Sequence, residues 1–340
     1  MRPNFLERQK KLKKVLEEKE IDAIITMSSE DIFYYTGYQG LREDRVFMLL
    51  PMDGRPKLFV SVLENEAHLR YPEIIYMKRF EDLIGHLKPY KTIGFDETNI
   101  PVLLYQEITK LTSKLIPISG ILLEKRMVKD EYEITQIKNS VKITAKIFEK
   151  ISEKLYGKTE KDVANEIEIE YKKFGKESAF EPIVCSGKNT QFIHHKASEK
   201  IIKPNELILI DTSCSFNGYC SDVTRMFFRH LGVREKKVYE DVKQIHDEIL
   251  SFIKAGITYK KVEELHNNLF KKKGYTPIHN FGHGVGLSIH EPIGEIIKEN
   301  MVITIEPGIY IKNFAGFRIE DTVIIKKNRA EILSKPIPIL

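Results

Sequence analysis

Two aspartates set the first chemical question. In the stretch Leu207–Phe228, LILIDTSCSFNGYCSDVTRMFF, an apolar run ends at Asp211, and Asp222 lies in the apolar strand that returns. Between them, Asn217-Gly218 is the dipeptide that two-residue hairpin turns favour, because both turn positions need positive φ. With that turn, Phe216 faces Tyr219 and Asp222 faces Ser213. Asp211 lies two residues from Ser213 and shares its face. The carboxylates then sit diagonally on one side of the ribbon, roughly 7–8 Å apart at the backbone. A one-residue bulge would send Asp222 to the other face. Like charges so placed repel unless something positive lies between them. Two exposed acids on an edge hairpin are the plainer reading, and the apolar flanks argue against it.

Three more candidates lie downstream. The segment Asn280–Glu291, NFGHGVGLSIHE, carries Gly282, Gly284 and Gly286 around His283. Glycine at every second position lets a backbone approach a neighbour closely, at an entropic cost that an idle strand would not need. A dinucleotide fingerprint is excluded by the spacing and by the lack of an acidic ribose partner. Glu306 ends an apolar strand in ITIEPGIY, and Glu320 stands among Phe317, Ile319, Val323 and Ile324 in GFRIEDTVII. Acids in such settings are costly unless paired or bound to metal. Asp321 reads as the exposed neighbour of Glu320. Hairpin counting does not bring Glu306 and Glu320 onto one face, because Pro307-Gly308 interrupts the strand. Together Asp211, Asp222, His283, Glu306 and Glu320 supply four carboxylates and one imidazole. Such a donor set suits Mn²⁺, Fe²⁺, Co²⁺ or Zn²⁺ in a dinuclear centre. Two dications roughly 3.5–4 Å apart can share a bridging hydroxide whose pKa is drawn towards about 7, and such a centre can hydrolyse amides.

The elements that must position these groups follow from the apolar periodicity. An amphipathic helix is expected over 4–20, a strand over 22–26, and a short helix capped by Ser28-Ser29 and ending near Gly37. Strands at 45–50, 57–60, 74–77, 92–95 and 114–118 alternate with helices at 64–70, 81–88 and 101–111, the pattern of an α/β domain on a mixed or parallel sheet. Tyr34, Tyr35, Tyr38, Arg42, Asp44 and Arg45 form a polar-aromatic cluster there, without a catalytic constellation. Near 119–127 the pattern changes to long helices, expected at 129–156 and 159–174, then strands at 183–185 and 207–228. Helices at 235–255 and 259–272 and a strand-rich region at 301–333 repeat that order, so the second domain reads as α+β with two similar halves.

With 340 residues the chain suits two domains of ordinary size, and 42% hydrophobic residues can bury a proper core. The net charge of +5 is spread through Lys-Glu mixtures, which speaks against a nucleic-acid binder. The N-terminus, MRPNFLERQKKLKKVLEEKE, lacks a signal-peptide core, and no apolar run reaches the roughly 18 residues of a membrane helix. Three cysteines, Cys185, Cys214 and Cys220, do not make a disulfide framework. A reducing cytoplasm is the expected location.

At the five candidate ligands the chain resembles the pita-bread-fold metallopeptidases, the family of methionine aminopeptidase, Xaa-Pro aminopeptidase and Xaa-Pro dipeptidase (prolidase). IDAIITMSSEDIFYYTGYQG is similar to the opening of the creatinase-like N-terminal domain, and KRMVKDEYEI to the start of the catalytic domain. The resemblance implies an α+β protein: an α/β creatinase-like domain at 1–122 and a pita-bread catalytic domain at 123–340. It implies that Asp211 chelates one divalent ion, that His283 and Glu306 bind a second, and that Asp222 and Glu320 bridge. Glu306 would also handle the proton of the attacking water. His194, in NTQFIHHKAS, matches the histidine near the scissile bond, although Ile193 replaces the usual preceding proline. That leaves His195 as the other choice, and the following KASEK run favours His194. His290 matches the histidine that steadies the tetrahedral intermediate.

An N-terminal domain points to the Xaa-Pro branch rather than to methionine aminopeptidase. The implied substrate is a proline-containing di- or oligopeptide, and the implied assembly is a homodimer whose partner narrows the channel. Arg318 shares a strand face with Glu320 and could hold a carboxylate, that of a metal ligand or that of the substrate. A prolyl amide has no N–H to donate, so proteases built to use that donor lose a contact, which favours a dedicated site. The alternative is a non-hydrolytic, creatinase-like or partner-binding relative, against which the complete ligand set speaks.

Overall fold

The computed structural model describes residues 3–40, 45–111 and 114–337. They fall into two compact units, Met1–Arg126 and Met127–Leu340.

The first unit alternates helix and strand. Its elements are α1 (Phe5–Glu18), β1 (Ala23–Thr26), α2 (Ser29–Thr36), β2 (Phe47–Pro51), β3 (Lys57–Ser61), α3 (Ala67–Arg70), β4 (Ile74–Met77), α4 (Phe80–Leu87), β5 (Thr92–Phe95), α5 (Val102–Leu111), β6 (Lys114–Pro117) and α6 (Ser119–Met127). They build one mixed six-stranded sheet in the order β4-β3-β2-β1-β5-β6. β1 runs antiparallel to β2 and parallel to β5. Ile25, Phe47, Leu49, Phe59 and Ile93 of the sheet pack against Leu83, Leu87, Leu104 and Ile108 of α4 and α5. Ser28 caps α2 by accepting from the Asp31 N–H at 3.1 Å, as its sequence position suggests. The helix α6 was not anticipated. It runs through the boundary expected at 122, and the unit ends only at Arg126, whose guanidinium is bonded to buried Asp31 at 2.9 Å. In the polar-aromatic cluster, Tyr34, Tyr35 and Tyr38 are buried and Arg45 is exposed, while Arg42 and Asp44 lie outside the described residues.

The second unit begins with α7 (Glu131–Ser152) and α8 (Glu160–Lys173). Six strands follow: β7 (Glu177–Ser178), β8 (Ile183–Ser186), β9 (Ile208–Thr212), β10 (Cys214–Phe216), β11 (Tyr219–Cys220) and β12 (Val223–Phe227). Then come α9 (Val233–Phe252), α10 (Tyr259–Lys273), β13 (Val302–Ile305), β14 (Gly308–Ile311), β15 (Ala315–Arg318), β16 (Asp321–Ile325) and β17 (Ala330–Ile332). Two helices followed by strands, twice over, is the expected order. One core joins Leu209, Met226, Val242, Ile245, Phe270, Phe281, Ile303 and Val323, which packs α9 and α10 against the strands that carry the acids. Among the described residues, no helix is long and apolar enough to cross a membrane.

Each half contains a nested hairpin. In the first, β9 pairs with β12 and β10 with β11, around Asn217 (φ 52°) and Gly218 (φ 85°). Phe216 faces Tyr219 and Thr212 faces Val223, so the register is unbroken and Ser213 stands opposite Asp222. In the second, Ile305 faces Asp321 and Gly308 faces Arg318. Glu306 therefore counts opposite Glu320. This corrects the expectation from sequence. The ladder does lapse at Pro307, which has no N–H to give, but no residue is inserted or lost, so the register survives.

Asp321 is a second correction. It is 1% exposed, not a surface residue. Arg225 Nη2 meets its Oδ1 at 2.6 Å, His246 Nε2 lies 3.2 Å from its Oδ2, and Ser334 Oγ donates to it at 2.5 Å. These partners hold its carboxyl far below the usual carboxylate range in spite of burial, which alone would raise it.

Candidate metal centre

The two hairpins bring their acids to one cavity of about 760 Å³. Asp211, Asp222, His283, Glu306 and Glu320 all line it. His283 Nε2 lies 3.2 Å from Glu306 Oε1 and 3.6 Å from Asp222 Oδ2. Ligand atoms of Asp222, His283 and Glu320 lie within 4.8 Å of one another. The ring orientation is fixed from behind, because Nδ1 is 3.1 Å from the Gly284 carbonyl. A carbonyl only accepts, so Nδ1 carries the proton and Nε2 presents a lone pair to the carboxylates. Lone pair against carboxylate is repulsive without a proton or a cation between them.

The alternating glycines make this placement possible. A Cβ on Gly282 would stand 2.1 Å from the Thr304 carbonyl oxygen, and one on Gly286 would stand 2.6 Å from the Glu291 carboxylate. What the glycines approach is thus β13 and a buried acid. Thr304 then serves two candidate ligands, accepting from the His283 N–H at 3.0 Å and donating to Glu306 Oε1 at 3.2 Å.

Arg318, 2% exposed, is committed to the protein. Its Nη2 meets Asp211 Oδ2 at 2.6 Å, its Nε donates to Thr224 Oγ1 at 2.9 Å, and its Nη1 donates to the Tyr310 hydroxyl at 2.9 Å. Among the described residues it thus holds a carboxylate of the acid cluster. Thr224 in turn donates to Glu320 Oε2 at 2.7 Å.

The electrostatics are those of too many acids in one place. Burial first, then Glu320, Asp211 and Glu306, push Asp222 well above the usual carboxylate range. Burial, then Asp211 and Glu306, do the same to Glu320. Glu306 is pushed up to about 7 by burial, against the opposing pull of Arg318. Burial keeps His283 low and therefore neutral. Asp211 Oδ1 and Asp222 Oδ1 are buried with no hydrogen-bond partner. Orphaned carboxylate oxygens around a neutral imidazole are what a divalent cation satisfies, so these residues fit a metal centre.

His194 and His290 stand on the cavity wall. His194 is exposed there, whereas His195 Nε2 is tied to buried Glu160 at 2.9 Å. His290 is exposed, with its ring edge-on to His283 at 4.2 Å between centroids. Sequence reasoning passed over His279, which lines the cavity and lies 3.1 Å from the Tyr310 hydroxyl. Its signal was the position four residues before His283, in a stretch read only for its glycines. Burial lowers His279 to about 4, so it meets Tyr310 as a neutral ring.

Comparison with known proteins bears on the same residues. The model of Metallopeptidase family M24 matches residues 135–327, and that of the Creatinase/Prolidase N-terminal domain matches 8–128. An Xaa-Pro dipeptidase of Pyrococcus furiosus is 32% identical over 348 residues, covering 97% of this chain and 98% of its own. Among solved structures, the prolidase from Pyrococcus horikoshii superposes with a TM-score of 0.90 at 29% identity, over 96% of this chain and 98% of that one. The X-Pro aminopeptidase from Thermotoga maritima gives 0.85 at 30% identity, over 96% and 97%. Similarity of this extent, in sequence and in fold, makes the chain a member of metallopeptidase family M24 that carries a Creatinase/Prolidase N-terminal domain.

Proposed function

We infer that the protein hydrolyses the peptide bond between a residue Xaa and proline, with two divalent ions held by Asp211, Asp222, His283, Glu306 and Glu320. One observation carries this reading: Asp211, Asp222, His283, Glu306 and Glu320 converge on one cavity, with His283 Nε2 3.2 Å from Glu306 Oε1 and 3.6 Å from Asp222 Oδ2. In the assignment we favour, Asp211 would hold one ion, His283 and Glu306 the other, and Asp222 and Glu320 would be shared between the two. Bound ions would supply Lewis acidity and lower the pKa of water towards about 7. Mn²⁺, Co²⁺, Fe²⁺ and Zn²⁺ all suit the donors.

The side chains of the cavity supply the rest. Glu306 takes the proton of the attacking water and delivers it to the leaving prolyl nitrogen. His194 and His290 donate hydrogen bonds where charge develops on the amide oxygen. Arg318 fixes Asp211. Phe180, Pro182, Ile183, Ile193 and Ile278 give the wall an apolar surface suited to a pyrrolidine ring. The relatives named for Xaa-Pro dipeptidase and X-Pro aminopeptidase activity support the same bond type. Cys185, Cys214 and Cys220 are free thiols, which fits a reducing cytoplasm, and a homodimer belongs to this reading.

The test is to strip metal, restore Mn²⁺ or Co²⁺, and compare Ala-Pro with Ala-Pro-Ala. Metal-dependent cleavage of either supports the reading, and the faster substrate separates dipeptidase from aminopeptidase. Failure to cleave any prolyl peptide would leave a partner-binding member of the family.

A further inference from the structure

We propose that Lys196 is the specificity residue of this cavity and holds the free C-terminal carboxylate of a two-residue substrate. The proposal rests on the prolyl-hydrolase reading above and deepens it.

Two side chains with a permanent positive charge line the cavity, Arg318 and Lys196. Arg318 is spent on Asp211, Thr224 and Tyr310 and is 2% exposed. Lys196 is exposed and, among the described residues, makes no hydrogen bond or ion pair. Glu181, also exposed on the rim, does not neutralise it. An ammonium on a flexible four-carbon stem, beside a wall of Phe180, Ile183, Ile193 and Ile278, is left free for an anion that comes in with an apolar body.

The loop that carries Lys196 is held firmly. Glu160, 0% exposed, accepts from the Ser186 N–H at 2.7 Å, from Asn189 Nδ2 at 3.1 Å and from Ser198 Oγ at 2.6 Å, besides its contact with His195. His194, His195 and Lys196 all line the cavity, and the contact with Glu160 fixes the middle one. The backbones of His194 and Lys196 are at most about 7 Å apart. In an Xaa-Pro dipeptide the terminal carboxyl carbon lies within about 4 Å of the scissile carbonyl carbon. A histidine at the scissile bond and a lysine two residues on therefore match the two ends of the prolyl residue. A longer peptide has an uncharged amide at that place and forgoes the charge-assisted bond.

The test compares Ala-Pro with Ala-prolinamide on the Mn²⁺-loaded protein, in wild type, Lys196→Met and Lys196→Arg. The ratio of kcat/KM for dipeptide over amide should fall roughly ten- to a hundredfold in Lys196→Met, through KM, and recover largely in Lys196→Arg. Inhibition by the product proline, relative to prolinamide, should weaken in parallel, a readout that a general loss of turnover would not move. Unchanged ratios in Lys196→Met, with both substrates cleaved, overturn the assignment to Lys196 and leave the hydrolase reading intact. Cleavage of neither substrate by the wild type overturns both.

Discussion

Thr322 Oγ1 clasps the backbone of Asp222, accepting from its N–H at 3.0 Å and donating to its carbonyl at 2.7 Å. Thr224 holds Glu320 from the other hairpin: its hydroxyl donates to Oε2 at 2.7 Å, and its carbonyl accepts the Glu320 N–H at 3.3 Å. Each threonine lies two residues beyond one of these acids and serves the other. Strands β12 and β16 thus exchange support at the point where the two halves bring their carboxylates together.

That exchange has a measurable consequence. Thr224→Val keeps the shape but removes the donor to Glu320 and the acceptor for Arg318 Nε. Groups that orient metal ligands typically contribute ten- to a hundredfold in affinity, so Mn²⁺ binding should weaken by about that factor. Titration calorimetry on folded variant and wild type checks this. Equal affinities would mean that Glu320 is positioned without its threonine.

Asp222 has a sharper test. Asp222→Asn keeps size and hydrogen-bonding shape while removing the charge that two ions would share. Metal content after dialysis should fall from two ions per chain to no more than one, with the circular dichroism spectrum retained. Normal stoichiometry would remove Asp222 from a bridging role.

Much of this site was legible in the sequence, and the exceptions have physical reasons. Asn217-Gly218 gave the register of the first hairpin because an Asn-Gly turn fixes which residues face each other. Glu306 and Glu320 could not be paired by counting, since a break at Pro307 is compatible with an inserted residue as well as with an unbroken count, and only the closed ladder on both sides decides. Asp321 was misread because its partners Arg225 and His246 lie on β12 and α9, far along the chain. His279 was missed for a related reason: Tyr310, which gives it an anchor, arrives from β14. Local pattern carries strands and turns. It does not carry which buried charge finds which partner.

Removing metal should make stability depend on pH in a defined direction. Asp222, Glu320 and Glu306 have folded-state pKa values raised above their ordinary ones, Glu306 to about 7. A raised folded value means that the native state binds more protons, so stability is fully present below about 4.5 and is lost as pH rises through 7. The melting temperature of the metal-free protein should therefore fall over that range. Saturating Mn²⁺ should restore it, by roughly 5–10 °C at a hundredfold excess over Kd. A metal-free melting curve flat from pH 4.5 to 7 would contradict the acid crowding.

Glu160 should behave in the opposite sense. Burial alone would raise its carboxyl, but bonds from His195, Ser198 and Ser186 outweigh that and hold it at about 2. Its stabilisation is present above about 4.5 and is lost as pH falls towards 2. Glu160→Gln should therefore lower stability at pH 7 and flatten the acid limb of the stability curve between those values, as urea unfolding at several pH values would show. An acid limb unchanged by the substitution would place the acid-sensitive carboxylates elsewhere, with Asp321 as the next to examine.

Arg318 gives the largest expected effect on the fold. Its guanidinium is 2.6 Å from Asp211 Oδ2, and both side chains are nearly buried. Breaking a buried pair by removing one partner typically costs about 3–5 kcal/mol, because the remaining charge is left without compensation. Arg318→Met should show that loss in urea unfolding of the metal-free protein. Adding Mn²⁺ should recover part of it, since a bound cation would compensate Asp211 from the cavity side. Lys in place of Arg318 reaches Asp211 but cannot also serve Thr224 and Tyr310 in the same planar fork, so Arg318→Lys should fall between wild type and Arg318→Met. Equal stability of Arg318→Met and wild type without metal would mean that the Arg318–Asp211 pair contributes nothing net to the fold.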